Sequence, residues 1–156
     1  MTATVTVRQA GPDDVAALIS LRRAWTAEQH GTDDPDFDAQ FTAWYAAESG
    51  HRVFWLAELD GTAIGMVNLV IFTRMPKPGF PAGRWGYLSN AFVLPAHRDA
   101  GAGAAMMDAL LAYARAEKLV RVLLSPSQRS VPFYRRAGFY PAESLLVTSL
   151  DDDYVP

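Results

Sequence analysis

The chain has no cysteine among its 156 residues. Disulfide cross-links, thiolate zinc sites and a covalent relay through sulfur are therefore excluded. It has no apolar run near 18 residues, so nothing reads as a membrane span, and no basic-then-apolar leader, which makes a cytoplasmic location the expectation. Basic residues are few as well: 14 Lys and Arg against 17 Asp and Glu give a formal charge of −3. That balance supplies no clustered cation footprint for a nucleic-acid backbone. Repeats and low-complexity tracts are missing. The three histidines, His30, His51 and His97, lack the i,i+4 spacing of a helical metal site and the acids form no loop pattern, so no metal is expected.

What is present fits one domain spanning residues 1–156, with half its residues apolar and a mean hydropathy of +0.01. Alternation around Val5 and Val7 predicts a first strand. Gly11-Pro12-Asp13-Asp14 then opens a helix with Val15, Leu18, Ile19, Leu21 and Trp25 on its buried face, running to about Gln29. Asp34-Pro35 introduces a second helix that carries Phe37, Phe41, Trp44 and Tyr45 at helical spacing. Residues 52–59 and 62–73 read as strands joined by Asp60-Gly61, a hairpin signal. The Pro- and Gly-rich stretch from Arg74 to Arg84 is a loop, and Trp85 to Leu94 is the next strand.

A long Ala-rich helix is expected from Ala102 to about Lys118, with Met106, Ala109, Leu110 and Tyr113 inward. Val120 to Leu124 is a continuous apolar run of the kind found in a strand covered on both faces. A short helix follows from Val131 to Ala137, closed by Gly138, and Phe139 to Leu150 predicts one or two further strands before a solvated tail at 151–156.

Between the fourth strand and the long helix lies Arg98-Asp99-Ala100-Gly101-Ala102-Gly103-Ala104. Two glycines let a backbone approach a ligand closely, and the helix start directs free N–H groups and the positive dipole end at the same spot, which suits phosphate. Arg98 adds a cation there. Dinucleotide binding is disfavoured, because Met106 stands where a third glycine is required and the next strand ends without an acid. Triphosphate binding also fails for want of Gly-Lys-Ser/Thr.

Arg98-x-x-Gly101-x-Gly103-Ala104 after a strand ending Phe92-Val93, with Val131-Pro-Phe-Tyr134-Arg-Arg-Ala-Gly138-Phe139 about thirty residues on, resembles the GCN5-related N-acetyltransferase (GNAT) family. The likeness extends through the order of elements from about Val5 to Val147. It implies a mixed α/β fold: a mostly antiparallel central sheet with a splayed parallel strand pair, flanked by about four helices. It implies acetyl-CoA as cosubstrate, with Arg98 to Ala104 around the pyrophosphate and Phe92, Val93 and Leu94 along the pantetheine arm. A backbone N–H near Val93 would then polarise the acetyl carbonyl. Ser127 and Ser130 are further cofactor-side candidates, although Ser130 also reads as a helix cap.

In this resemblance Tyr134 is the general acid that protonates the departing thiolate, a role open to a phenol that stays protonated at neutral pH. The implied reaction is direct transfer to a primary amine of a small molecule or peptide, by an enzyme that could pair as a homodimer. The general base is not evident. Tyr87 to Phe92 contains no acid, so Asn90 or Ser89 is the candidate for positioning a water, with Glu28, His30 and His51 as remote alternatives. The missing acid leaves a second reading open, a noncatalytic acyl-CoA-binding or regulatory module. The acids Glu28, Asp33, Asp34, Asp36 and Asp38 either attract a cationic acceptor or serve the second helix as cap and dipole partners.

Overall fold

The computed structural model describes residues 3–153. The chain divides into two compact units, Met1–Leu123 and Leu124–Pro156. The first holds strand β1 (Val5–Ala10), helices α1 (Val15–Glu28) and α2 (Phe37–Glu48), strands β2 (Arg52–Leu59), β3 (Thr62–Thr73) and β4 (Arg84–Val93), helix α3 (Ala102–Ala116) and strand β5 (Val122–Leu123). The second holds helix α4 (Val131–Arg136). The five strands lie in the order β1-β2-β3-β4-β5, antiparallel except for the parallel pair β4-β5. This is the mixed sheet expected from the sequence.

Strand β3 explains why the sheet is covered on both sides. Ile64 through Val70 are all buried, so alternate side chains go to opposite helical layers. On one face Leu18 and Leu21 of α1 and Tyr45 of α2 pack with Phe54, Leu56, Met66 and Phe92. On the other, α3 buries Met106, Met107, Leu110 and Ala114, and Tyr113 meets Trp55 edge-on at 5.4 Å. Leu18, Leu56, Leu69 and Leu110 are fully enclosed, so truncating any one to Ala costs about 2–5 kcal/mol.

Two irregularities shape the centre of the sheet. First, β3 and β4 slip register: Met66 faces Phe92 but Asn68 faces Ser89, leaving Asn90 and Ala91 opposite Val67 as a bulge. Asn90 takes a left-handed φ of 56° there, a conformation asparagine tolerates better than most residues. Second, β5 pairs with β4 only at Gly86↔Val122 and Tyr87↔Leu123. From Leu88 to Val93 that side of β4 has no strand partner among the described residues. The parallel pairing therefore ends at Tyr87, ahead of the turn that follows β4.

Two expectations require correction. The run Val120–Leu124 yields just a two-residue strand, and Val120 is exposed, because no layer covers both of its faces. Residues 139–150 form no strand among the described residues; Leu146, Val147 and Leu150 are almost fully exposed. Apolar, β-branched content favours a strand only where a neighbouring strand pairs with it. Of the expected tail, 154–156 lie outside the described residues, and 151–153 are exposed.

Candidate active site

The phosphate turn is built by backbone geometry. Strand β4 ends at Val93, a single 3-10 turn spans Pro95–His97, and α3 begins at Ala102. Asp99 and Gly101 both have positive φ, 63° and 89°, which turns the chain sharply into the helix. Gly101 is the helix N-cap and no side chain caps α3. The first α-helical bond is Ala105 N–H to the Gly101 carbonyl at 3.0 Å, so the N–H groups of Ala102, Gly103 and Ala104 lie ahead of it. A Cβ built on Gly101 meets nothing within 4 Å, so no other part of the fold crowds that position. Donors without a side-chain cap at such a position fit a pyrophosphate.

Arg98 is differently employed from the free cation its position suggested. Its Nη1 and Nη2 each donate to Glu28 at 2.7 Å, its Nε donates to the Val93 carbonyl at 3.0 Å, and its guanidinium lies 5.6 Å from the Phe92 ring. The Glu28 carboxylate raises the Arg98 pKa and spends its charge. Arg98 is thus a bracket tying the end of α1 to the end of β4. Phe92 is buried, stacked 5.3 Å from Trp25 and 6° from parallel. Leu94 donates its N–H to Ile64 at 2.8 Å and accepts from His97 at 2.9 Å, so its backbone is engaged within the fold. Asp99 and Ala100 are exposed at the turn.

On the opposite side of β4 from the α3 layer, α1, α2, β2, β3 and β4 line an open cavity of about 270 Å³. Its walls are Leu18, Phe37, Phe41, Trp44, Phe54 and Met66. Polar groups reach it from Asn68, Asn90, Gln40 and Arg22. The aromatic stripe of α2, which periodicity alone assigns to the core, is half-buried because it faces this space. Asn68 had gone unnoticed in the sequence, although a lone carboxamide within Ile64-Gly-Met-Val-Asn-Leu-Val is the signal that could have found it.

Asn68 is the one buried polar residue among those described. A group so placed needs partners, and it has several. Its Oδ1 accepts from Arg52 Nη1 at 2.7 Å and from Ser89 Oγ at 3.0 Å; its Nδ2 donates to Asn90 Oδ1 at 2.9 Å. Arg52 also bonds Glu48 at 2.9 Å and lies over Trp44 at 5.0 Å. The Arg52 hydrogen bond holds the Glu48 carboxyl below its ordinary value. The network fixes the bulge and presents Asn90 to the cavity.

Other candidates are occupied elsewhere. His51 pairs with Glu48 at 2.6 Å and His30 is exposed. Asp33 and Asp38 are both paired with Arg23, at 2.6 and 2.7 Å, and Asp34 folds the turn by accepting from the Asp36 N–H. Asp36 rather than Asp34 takes the N-cap position of α2. No carboxylate lines the cavity among the described residues.

In the second unit, Tyr134 on α4 is 9% exposed and in edge-on contact with Phe133 and Phe139 at 5.2 and 5.8 Å. Burial pushes its hydroxyl above the ordinary tyrosine value, which favours the protonated form. Ser130 holds the N-cap position of α4 without a side-chain cap bond, while Ser127 caps the preceding 3-10 turn: its Oγ accepts from Ser130 N–H at 3.3 Å, and Ser130 Oγ donates back to the Ser127 carbonyl at 2.9 Å.

Residues 16–139 match the model of the acetyltransferase (GNAT) family. The chain belongs to that family. A curated relative, glucosamine 6-phosphate N-acetyltransferase of Trypanosoma brucei brucei, is 30% identical over 79 residues, covering 51% of this chain and 52% of the relative. The match thus spans about half the length of that relative. An acetyltransferase from Clostridium acetobutylicum, solved with acetyl-CoA, superposes with a TM-score of 0.75 at 23% identity, covering 94% of this chain and 97% of that one. A glucosamine-6-phosphate N-acetyltransferase from Arabidopsis thaliana gives 0.73 at 16% identity, covering 95% and 99%. At such identities these two structures establish the fold.

Proposed function

We propose that the whole chain, 1–156, acts as one N-acetyltransferase domain that moves an acetyl group from acetyl-CoA directly to the primary amine of a small molecule or peptide. The family match running across both compact units supports the single domain. The observation that carries the reading is the N-terminus of α3, without a side-chain cap and clear of other atoms around Gly101, following a strand whose parallel pairing ends at Tyr87. Acetyl-CoA supplies the activated thioester.

The backbone from Arg98 to Ala104 holds the pyrophosphate, through N–H groups whose individual helix-terminal contributions are about 0.3–1 kcal/mol when exposed. Phe92 and Val93 offer the strand edge to the pantetheine arm, with Leu94 closing it, and Ser127 and Ser130 shape the cofactor side of α4. The amine nitrogen attacks the thioester carbonyl carbon, the carbon–sulfur bond breaks, and the departing thiolate takes its proton from Tyr134 Oη. The proton released by the nitrogen leaves through water held at Asn90. No sulfur relay exists in the chain, so the transfer is direct.

The test follows thiol release from acetyl-CoA with a panel of amines, for wild type and Tyr134→Phe. Release with at least one amine and a slow Tyr134→Phe enzyme is expected; an equally fast variant refutes the acid. Among the described residues no carboxylate lines the cavity, which favours the second reading, a noncatalytic acyl-CoA-binding module. Coenzyme binding without release on any amine would establish it. Among the described residues no helix is long and apolar enough to cross a membrane. The same proposal makes the protein a cytoplasmic homodimer; exposed Leu146, Val147 and Leu150 support the pairing, and a solution mass of twice 17.1 kDa tests it.

A further inference from the structure

The cavity beside the Asn90 bulge carries chemical information about the acceptor. Its volume of about 270 Å³ is near twice the roughly 150 Å³ of a cavity that accommodates benzene. One ring with a short substituent fits within it. The walls are four aromatic side chains, Phe37, Phe41, Trp44 and Phe54, with Leu18 and Met66 completing the apolar surface. Such walls recognise a ring by its faces and edges.

Charge narrows the class further. Arg22 is the one ionisable side chain lining the cavity among the described residues. It lies over Trp25 at 4.4 Å and no ion pair is formed by it among the described residues, whereas its neighbour Arg23 is committed to Asp33 and Asp38. Of the acids in the α1–α2 connection, Asp33 and Asp38 pair with Arg23 and Glu28 with Arg98, while the cavity lining itself shows a cation. A polycationic acceptor would meet repulsion without a compensating carboxylate. A polyhydroxylated ring would find the carboxamides Asn68, Asn90 and Gln40 too few, since Asn68 is already bonded to Arg52, Ser89 and Asn90.

We propose that the acceptor is a monoanionic amine built on one aromatic ring, of the chemical class of an aromatic amino acid, with its ring between α2 and β2, its carboxylate toward Arg22 and its amine toward Asn90. The inference rests on the acetyltransferase reading for the purpose of the pocket, and binding tests it without turnover.

Calorimetric titrations of wild type and Arg22→Gln, each saturated with coenzyme A, would compare L-phenylalanine, phenethylamine, glucosamine 6-phosphate and spermidine. L-Phenylalanine binding wild type about tenfold more tightly than phenethylamine, with Arg22→Gln abolishing that difference, is the expected result, in line with one charge-assisted contact. Arg22 is half-buried and unpaired, so the variant keeps the core, and its melting temperature checks that. Tightest binding of spermidine or glucosamine 6-phosphate, no binding of L-phenylalanine, or an undiminished preference in Arg22→Gln each overturns the assignment. Thiol release measured in parallel separates the two claims: release with spermidine or the amino sugar alone leaves the acetyltransferase intact and removes this acceptor class.

Discussion

The phosphate turn and the aromatic cavity share strand β4 and are made of different materials. The turn is backbone: two left-handed residues, an uncapped helix start, and side chains too small to intrude. The cavity is side chain: rings from α2 and β2, with a hydrogen-bonded floor centred on Asn68. A backbone site serves any chain that reproduces its dihedrals and therefore recurs with a recognisable spacing. A side-chain site is free to vary with its ligand. On the proposed assignment the donor is accordingly written in a motif, and the acceptor in the packing of residues far apart in sequence.

That contrast can be strained from several sides. The largest effect is expected where neither region is altered: Tyr134→Phe should lower kcat by roughly 10²–10⁴-fold while coenzyme A affinity is unchanged, as steady-state kinetics and calorimetry would show. Because burial raises the Tyr134 pKa, wild-type kcat should show no loss attributable to this group across the neutral range. Next comes Asn68→Leu, which takes the partner of Arg52 Nη1, Ser89 Oγ and Asn90 Oδ1 together. It should destabilise the fold by about 1–3 kcal/mol in urea and weaken acceptor binding.

The smallest effect concerns neither site. Asp14 is held down to about 2 by its Arg8 hydrogen bonds and the Gly11 N–H. A carboxylate whose pKa lies lower folded than unfolded contributes stability above the unfolded value near 3.9, and that contribution is lost as pH falls toward 2. Asp14→Asn should therefore lower Tm modestly at pH 6 and not at pH 2, by calorimetric scans.

The same contrast accounts for what the sequence disclosed. The spacing around Gly101 and Gly103, the Asp60–Gly61 hairpin and the helical periodicities of α1 to α3 are local, and local dihedral preferences carry them. Arg98 illustrates the limit: its place beside the turn is visible in the sequence, but its ion pair with Glu28, seventy residues away, depends on how α1 and β4 pack. Phe37, Phe41 and Trp44 show the same ambiguity, since a helical apolar stripe faces a filled core or an open cavity with equal periodicity. The absent strand after Phe139 is a third case: β-branched composition without a pairing partner is not a strand. Gly65 is a fourth, a glycine within a strand whose added Cβ would meet the Phe92 carbonyl at 3.0 Å, so it permits the close approach that sets the end of β4.

The division between a backbone donor site and a side-chain acceptor site is tested most directly by titrating coenzyme A into Gly101→Ala and Asn68→Leu. Alanine at Gly101, where φ is 89°, meets no neighbour but must adopt a left-handed conformation costing about 1–2 kcal/mol, so the turn should relax away from its phosphate geometry. A coenzyme A affinity reduced about tenfold in Gly101→Ala and unchanged in Asn68→Leu is the predicted result. Equal losses in both variants, or a loss confined to Asn68→Leu, would contradict it.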